Sequence, residues 1–431
     1  MIRQFIGAVA LLLIAVGIAY FALTMGLGWG LARRQGASTP PRPRRRYHPY
    51  VLIPCLNESL VIGATVRSIL EQTDGRVVVI DDGSDDDTGK RARAAGRGRV
   101  MLVRRNLPDA RLGKGAALNA GYQRVVEHAA RHGFDSDSVL ICVMDADGRL
   151  SHGGVRQVMP LFDDPAVGGV QIPVRIRNRH RLITVLQDLE FWTLSAVSQL
   201  GRMRTQTVSL GGNGQFTRLS ALVALGRDPW SHSLTEDLDL ALSLLAAGWN
   251  LTSTPHAYVD QQGVTSWRRL VRQRIRWYQG TITCSARLGE LWRTPRLSNP
   301  AILEVTLYLL VPTLLVLPWS VVFHLVLFDM VAHLRYPPPF TLFGSPMAGR
   351  ITLLVVWYLV SFAPNIVTGF MYARRDRDLG LGRSLLFSHL LIPYNYVAYL
   401  ATWVALGRIL TRRRGWSKTE RIAEPVERLA A

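Results

Sequence analysis

The stretch that decides the fold is L-I-C-V-M-D-A-D-G-R-L, residues 140–150. An apolar run of strand length ends in two carboxylates one residue apart, Asp145 and Asp147, followed by the turn former Gly148. This reads as a buried strand delivering acids to its carboxyl end. In open parallel sheets that edge is where ligands bind, and two oxygen donors this close suit a hard divalent cation that also holds phosphate. A strand followed by a solvated acidic turn has the same pattern, so the neighbouring segments must decide.

Outward from this stretch, residues 50 to about 254 alternate short apolar runs with helical patterns, the signature of an α/β sheet. Residues 51–53, 77–80, 100–103 and 139–143 are predicted strands. Helices are predicted near 60–71, 87–95 and 116–131. Each strand is followed by a segment rich in Asp, Asn, Gly or Arg, so the ligand edge carries polar groups at every turn.

The chain has 431 residues, with 51 Lys plus Arg against 31 Asp plus Glu and a net charge of +20. Its 48% hydrophobic content is concentrated in long blocks, and the basic residues cluster beside them. That favours anionic lipid as the partner of the positive charge, and nucleic acid is not expected. Three cysteines without framework spacing, Cys55, Cys142 and Cys284, argue against structural disulfides.

Residues 5–32 are apolar enough and long enough to cross ~30 Å of hydrocarbon. Arg33, Arg34, Arg42, Arg44, Arg45 and Arg46 follow. A cleaved signal peptide has a shorter apolar core with its charge on the amino side, so a retained anchor followed by a cytoplasmic basic stretch is expected. The expected organisation is an anchor over 1–34, a basic Pro-rich linker over 35–49 and a cytoplasmic catalytic domain over 50–263. An amphipathic interfacial region over 264–300, membrane segments over 301–407 and a basic tail over 408–431 complete it. Residues 181–203 form a helical stretch expected in the core, with the bilayer surface as the rival location. Apolar blocks lie at 302–331, 351–372 and 385–406. Arg374, Arg375, Arg377 and Arg383 after the second agree with the positive-inside rule. The third contains His389, Pro393 and Asn395; it reads either as a crossing that leaves the basic tail outside or as a re-entrant or broken segment.

Several residues have the chemistry of a nucleotide-handling site. Asp81 follows a strand and can accept from an imide N–H such as uracil N3, while Ser84 suits a helix cap. Lys114, between two glycines at a helix start, offers an ammonium and exposed amides to a diphosphate, although the spacing is not that of an ATP-binding loop. Gly211, Gly212, Asn213 and Gly214 form a tight turn that allows backbone to approach a sugar, or is only a turn. Thr235, Glu236 and Asp237 open a helix; the acids suit its dipole, or Asp237 is a general base. In Gln273, Arg274, Ile275, Arg276 and Trp277, either arginine suits a leaving pyrophosphate and Trp277 offers a flat face to a sugar ring. A basic helix on a membrane surface would explain the same arginines.

Together these segments resemble the inverting family 2 glycosyltransferases of membranes, the group that includes cellulose, chitin, hyaluronan and poly-N-acetylglucosamine synthases. The resemblance covers 50–277, the flanking membrane segments and W-S-K-T-E-R at 416–421. It rests on six motifs in family order: I-P-C-L-N-E at 53–58, D-D-G-S at 81–84, G-K-G-A-A-L-N at 113–119, D-A-D-G at 145–148, T-E-D at 235–237 and Q-R-I-R-W at 273–277. It implies an α/β GT-A type nucleotide-sugar domain, mostly parallel sheet with flanking helices, joined to a transmembrane helical region. Asn57, Glu58, Asp81, Lys114 and Asp145 would bind a UDP-sugar, with Asp81 on the uracil. Asp147 would hold Mg²⁺ or Mn²⁺. Asp237 would be the base, with Glu236 beside it, and Gly212, Asn213, Gln273, Arg274, Arg276 and Trp277 would form the acceptor and pyrophosphate subsites. The expected activity is inverting β-glycosyl transfer to a growing polysaccharide at the cytoplasmic membrane face, coupled to export by a partner or a second copy. The alternative is a glycolipid synthase with a lipid acceptor, favoured by the small membrane part. A non-enzymatic membrane scaffold or nucleotide sensor is the third reading, against which the acid at Asp237 speaks.

Overall fold

The computed structural model describes residues 2–33, 41–332 and 346–413. W-S-K-T-E-R, most of the basic tail and residues 34–40 of the linker lie outside the described residues. Among the described residues there are ten strands: β1 His48–Cys55, β2 Arg76–Asp82, β3 Val100–Arg105, β4 Val139–Val143, β5 Arg149–Leu150, β6 Val167–Gln171, β7 Val174–Ile176, β8 Gln215–Arg218, β9 Asn250–Ser253 and β10 Val259–Gln261. Seven form one sheet in the order β3-β2-β1-β4-β8-β6-β9, and β5-β10-β7 form a small second sheet. In the large sheet β8 alone runs antiparallel to its neighbours, β4 and β6.

The central strands read as continuous apolar runs because both faces are covered. Val51, Ile53, Val77 and Val79 pack under the helices Ile62–Gln72 and Thr88–Ala95. Leu52, Val78, Ile80, Ile141 and Val143 pack under Lys114–Arg131 and Glu236–Ala246. The strands expected from sequence match β1 to β4, each within three residues at either end.

The antiparallel β8 decides the site. It begins where β4 ends, with Gln215 paired to Val143, and the Gly214 N–H donates to Val143 O at 3.0 Å. The Gly211–Gly214 turn is therefore fixed beside Asp145, although Asn213 lies 68 residues further along the chain.

Among the described residues, one apolar segment precedes this unit in the chain and three follow it. Gln4–Ala32 and Asn299–Ala332 are long and apolar enough to cross a membrane, as is Gly380–Leu410, while Met347–Ser361 and Ala363–Arg375 form a pair bent by 63°. The break falls in the second C-terminal block, not in the third, where the sequence left room for one. Pro364, in the first turn of Ala363–Arg375, has no N–H to give the preceding turn. Pro393, by contrast, sits inside one continuous helix. That last helix lies along Trp267–Cys284: Leu391, Tyr394 and Val397 pack with Ile183, Leu186, Leu189 and Leu270, and Gln279 Nε2 donates to Arg413 O at 2.8 Å.

Residues 182–202 form one helical run with a π-helical middle, Glu190–Ser195. Leu186, Leu189, Val197 and Leu200 are buried there, and the cover for its end is the N-terminal helix. A Cβ on Gly28 would stand 1.9 Å from Val197 O, and one on Gly201 1.9 Å from Thr24 O, so only glycines allow the two backbones this close.

Candidate active site

A cavity of about 420 Å³ opens at the carboxyl ends of β1, β2 and β4. It is lined by Glu58, Asp82, Lys114, Asp145, Asn213, Asp237, Gln273, Arg276 and Trp277. Phe191, Ser195, Gln199 and Tyr308 line it too, and Tyr308 lies on the helix Asn299–Leu310.

Lys114 is the centre of the charge arrangement. Its Nζ donates to Asp145 Oδ1 at 2.8 Å and to Gly212 O at 3.3 Å, and lies 3.6 Å from Glu236 Oε1. Burial alone would lower its pKa, but Asp145, Glu236 and Asp237 outweigh that and raise it. The sequence places the lysine here through two glycines. Gly113 has a φ of +116°, and a Cβ on Gly115 would stand 2.2 Å from Ser231 O, so the helix start settles directly on that loop.

Asp237 is pushed up to about 7, first by burial and then by the Glu236 charge. Lys114, the Leu238 N–H and Arg276 act in the opposite sense. A carboxylate poised near neutrality has the proton affinity that a general base requires. Gly212, at φ +69°, is its neighbour: a Cβ there would stand 2.7 Å from Asp237 Oδ2 and 3.1 Å from Lys114 Nζ. Asn213 is buried, accepts the Asp145 N–H at 3.2 Å and donates to Gln261 Oε1 at 2.8 Å.

The sequence-predicted residues separate into two groups. Glu58, Lys114, Asp145, Asn213, Glu236, Asp237, Gln273, Arg276 and Trp277 line the cavity, and Gly212 borders Asp237 and Lys114. Three others, Asn57, Asp81 and Asp147, are not part of its lining, and a fourth, Arg274, borders it while bound to a neighbour. Asp81 is fully buried and accepts the Ser84 N–H and the Arg104 guanidinium, leaving Asp82 as the acid on the cavity wall. Asp82 is paired with Arg105, and burial raises its pKa. Asn57, at φ +52°, receives the Asp85 N–H and joins the β1 loop to the β2 loop. Asp147 is buried, its Oδ2 taking the Gln262 N–H at 2.9 Å. Arg274 has its guanidinium buried against Glu190 at 2.6 Å and over Trp277 at 4.1 Å, so it braces the helix even though it borders the cavity. Burial works against that charge, but Glu190 outweighs it and keeps the guanidinium protonated.

Asp82, Gln171, Glu190 and Gln261 were missed in the sequence. Glu190 did leave a signal, because an acid inside an apolar helical run needs a buried partner. The two glutamines end short strands and left none.

Six carboxylates line the cavity, Glu58, Asp82, Asp145, Glu190, Glu236 and Asp237, against three cations, Lys114, Arg274 and Arg276. A diphosphate entering this acidic surround requires added positive charge, and a divalent cation needs only one or two protein carboxylates beside phosphate oxygens. The donor set therefore fits such an ion, although no cluster of three or more His, Cys, Asp or Glu suited to a metal occurs among the described residues.

Residues 47–280 match the model of the family described as glycosyltransferase like family 2, over half of the chain and nearly the span of the motif resemblance. The chain belongs to this family. This is the family that the motif order implied. A β-monoglucosyldiacylglycerol synthase of Trichormus variabilis is 28% identical over 322 residues, 71% of this chain and 62% of the relative. A poly-β-1,6-N-acetyl-D-glucosamine synthase of Staphylococcus aureus is 26% identical over 274 residues, 62% of this chain and 61% of the relative. The chain spans about three-fifths of the length of these two relatives. Among solved structures, the mannosyltransferase PcManGT of Pyrobaculum calidifontis, in complex with GDP-Man and Mn²⁺, superposes with a TM-score of 0.57 at 18% identity, covering 95% of this chain and all of that one. This likeness carries the fold, so the expected GT-A type α/β domain with appended apolar helices stands.

Proposed function

We propose that this glycosyltransferase is a glycolipid synthase, transferring a hexose from a UDP-sugar to a hydroxyl of a membrane lipid with inversion at the anomeric carbon. One observation carries the lipid reading: Tyr308, on an apolar helix that begins at Asn299, lines the same cavity as Asp237. An acceptor hydroxyl that reaches the base past this apolar helix would come from a lipid. The first relative's name, a glucosyldiacylglycerol synthase, supports the same choice. Polysaccharide synthesis, expected first from the sequence, has the support of the poly-N-acetylglucosamine relative at lower identity and coverage.

In this mechanism Asp237 takes the acceptor proton as the hydroxyl oxygen attacks the anomeric carbon, and the bond to the diphosphate oxygen breaks on the opposite face. Lys114 and Arg276 face the charge that develops on the leaving diphosphate. Trp277 packs against a sugar ring, and Asn213 with Gly212 sets the floor beneath it. Asp145 and Asp147 would hold Mg²⁺ or Mn²⁺, which supplies charge neutralisation to the diphosphate.

The last helix bears on topology. Because its middle and its C-terminal end both meet Trp267–Cys284, we infer that it lies along the membrane surface and keeps the start of the basic tail on the catalytic side, where anionic lipid would attract it.

The deciding experiment incubates membranes carrying the protein with labelled UDP-glucose, UDP-galactose and UDP-N-acetylglucosamine, Mg²⁺ or Mn²⁺, and diacylglycerol. Label that extracts into organic solvent as a low-mass product is expected. Label retained in a high-mass polymer overturns the lipid reading and restores the polysaccharide one.

A further inference from the structure

We propose that Gln171, outside every motif read from the sequence, is a positioning residue that holds the base and its lysine at their working separation. The proposal rests on the reading of Asp237 as base. Gln171 is the last residue of β6, and its side-chain amide is buried and fully engaged. Its Oε1 accepts the Gly211 N–H at 2.8 Å, and its Nε2 donates to Asn213 O at 2.8 Å and to Ile172 O at 2.9 Å. One amide thus grips both residues that flank Gly212. Gly212 is the spacer between Asp237 Oδ2 and Lys114 Nζ, and its own carbonyl receives the lysine.

The grip continues into a chain of amides. Asn213, held through its carbonyl by Gln171, uses its side chain to accept the Asp145 N–H and to reach Gln261 on β10 of the small sheet. Gln171–Asn213–Gln261 therefore ties the large sheet to the small one across the turn that separates Asp145 from Asp237. Glutamine suits the first place in this chain because both its acceptor and its donor are needed, and aspartate or glutamate offers no donor to Asn213 O when ionised. An asparagine in the same place would be one methylene too short to span the turn.

The consequence is specific. Loosening the turn moves a cation relative to the Asp237 carboxylate, so its protonation midpoint and the rate of transfer both change, whereas UDP affinity changes little. The test uses Gln171→Leu and the uncharged, near-isosteric Gln171→Met in the full chain in lipid nanodiscs. Carbon-13 NMR of labelled aspartate carboxyls gives the Asp237 midpoint without any substrate, assigned as the resonance lost in Asp237→Asn. Calorimetry gives UDP affinity with Mn²⁺, and UDP-glucose turnover gives kcat and KM. Expected for either folded variant are a midpoint displaced by about half a pH unit or more, UDP affinity within about twofold of the parent and, where the parent turns over UDP-glucose, kcat lowered about tenfold with KM little changed. Where Gln171→Leu does not fold, the methionine variant decides. An unmoved midpoint in a folded variant overturns the proposal, as does a loss of UDP affinity equal to the loss of rate. Failure of the base assignment looks different: Asp237→Asn would then retain turnover whatever Gln171 does.

Discussion

Asp145 and Asp147 at the sheet edge, and Arg274 and Arg276 on the helix Trp267–Cys284, are two pairs with the same spacing in sequence. In each pair one side chain joins the charges around Lys114 and Asp237, and the other is tied to a partner outside that group. Asp145 meets Lys114 while Asp147 receives the Gln262 N–H; Arg276 is among the charges felt by Asp237 while Arg274 is locked to Glu190. The causes differ. Residues two apart on an α-helix point about 200° apart, so a helix must present 274 and 276 in opposite directions. After β4 no such rule holds, and the loop between the large and small sheets decides which acid turns inward. A repeated residue type in a motif is thus not repeated surroundings: the two copies have different partners and are open to different roles.

The sharpest way to break this division is to neutralise the base that both cavity-facing residues serve. Asp237→Asn should lower turnover about a thousandfold while calorimetry finds UDP affinity nearly unchanged. Next comes the arginine pair. Arg276→Ala should cost about a hundredfold in kcat with an unaltered unfolding midpoint, as expected for loss of one donor to developing charge; equal kcat losses for Arg274→Ala and Arg276→Ala would break the comparison. A smaller effect is expected from pH. Because Asp237 is raised to about 7, its inactive protonated form persists toward neutrality, so kcat should rise about tenfold between pH 6 and 8, a rise absent from the residual rate of Asp237→Asn. Smallest in rate and largest in stability is Arg274→Ala. Breaking its buried pair with the partly exposed Glu190 should cost about 1–3 kcal/mol, seen as a lowered thermal midpoint; an unchanged midpoint would remove the bracing role.

How far the sequence reached depended on whether local rules applied. β1 to β4 were legible because strands buried on both faces must be apolar throughout. The Lys114 loop was legible because two glycines flank a cation at a helix start. Asp81 turns inward and its neighbour Asp82 takes the cavity wall, since side chains alternate along a strand and a shift of one residue exchanges the cavity for the interior. Arg274 reads as a pyrophosphate ligand in the sequence because nothing near it there shows Glu190, 84 residues away.

The sequence by itself determined the alternating α/β domain, its apolar flanks and the set of acids and bases available for sugar transfer, because periodicity, length and side-chain chemistry are local properties. Only the tertiary structure decided which of those groups meet. The reversal of β8 against β4 carries the Gly211–Gly214 turn to Asp145. The lysine then brings Asp145, Glu236 and Asp237 into one half-buried charge cluster, and the amide of Gln171 holds the turn between them. Contacts between residues far apart along the chain depend on strand order and packing, which no local pattern encodes.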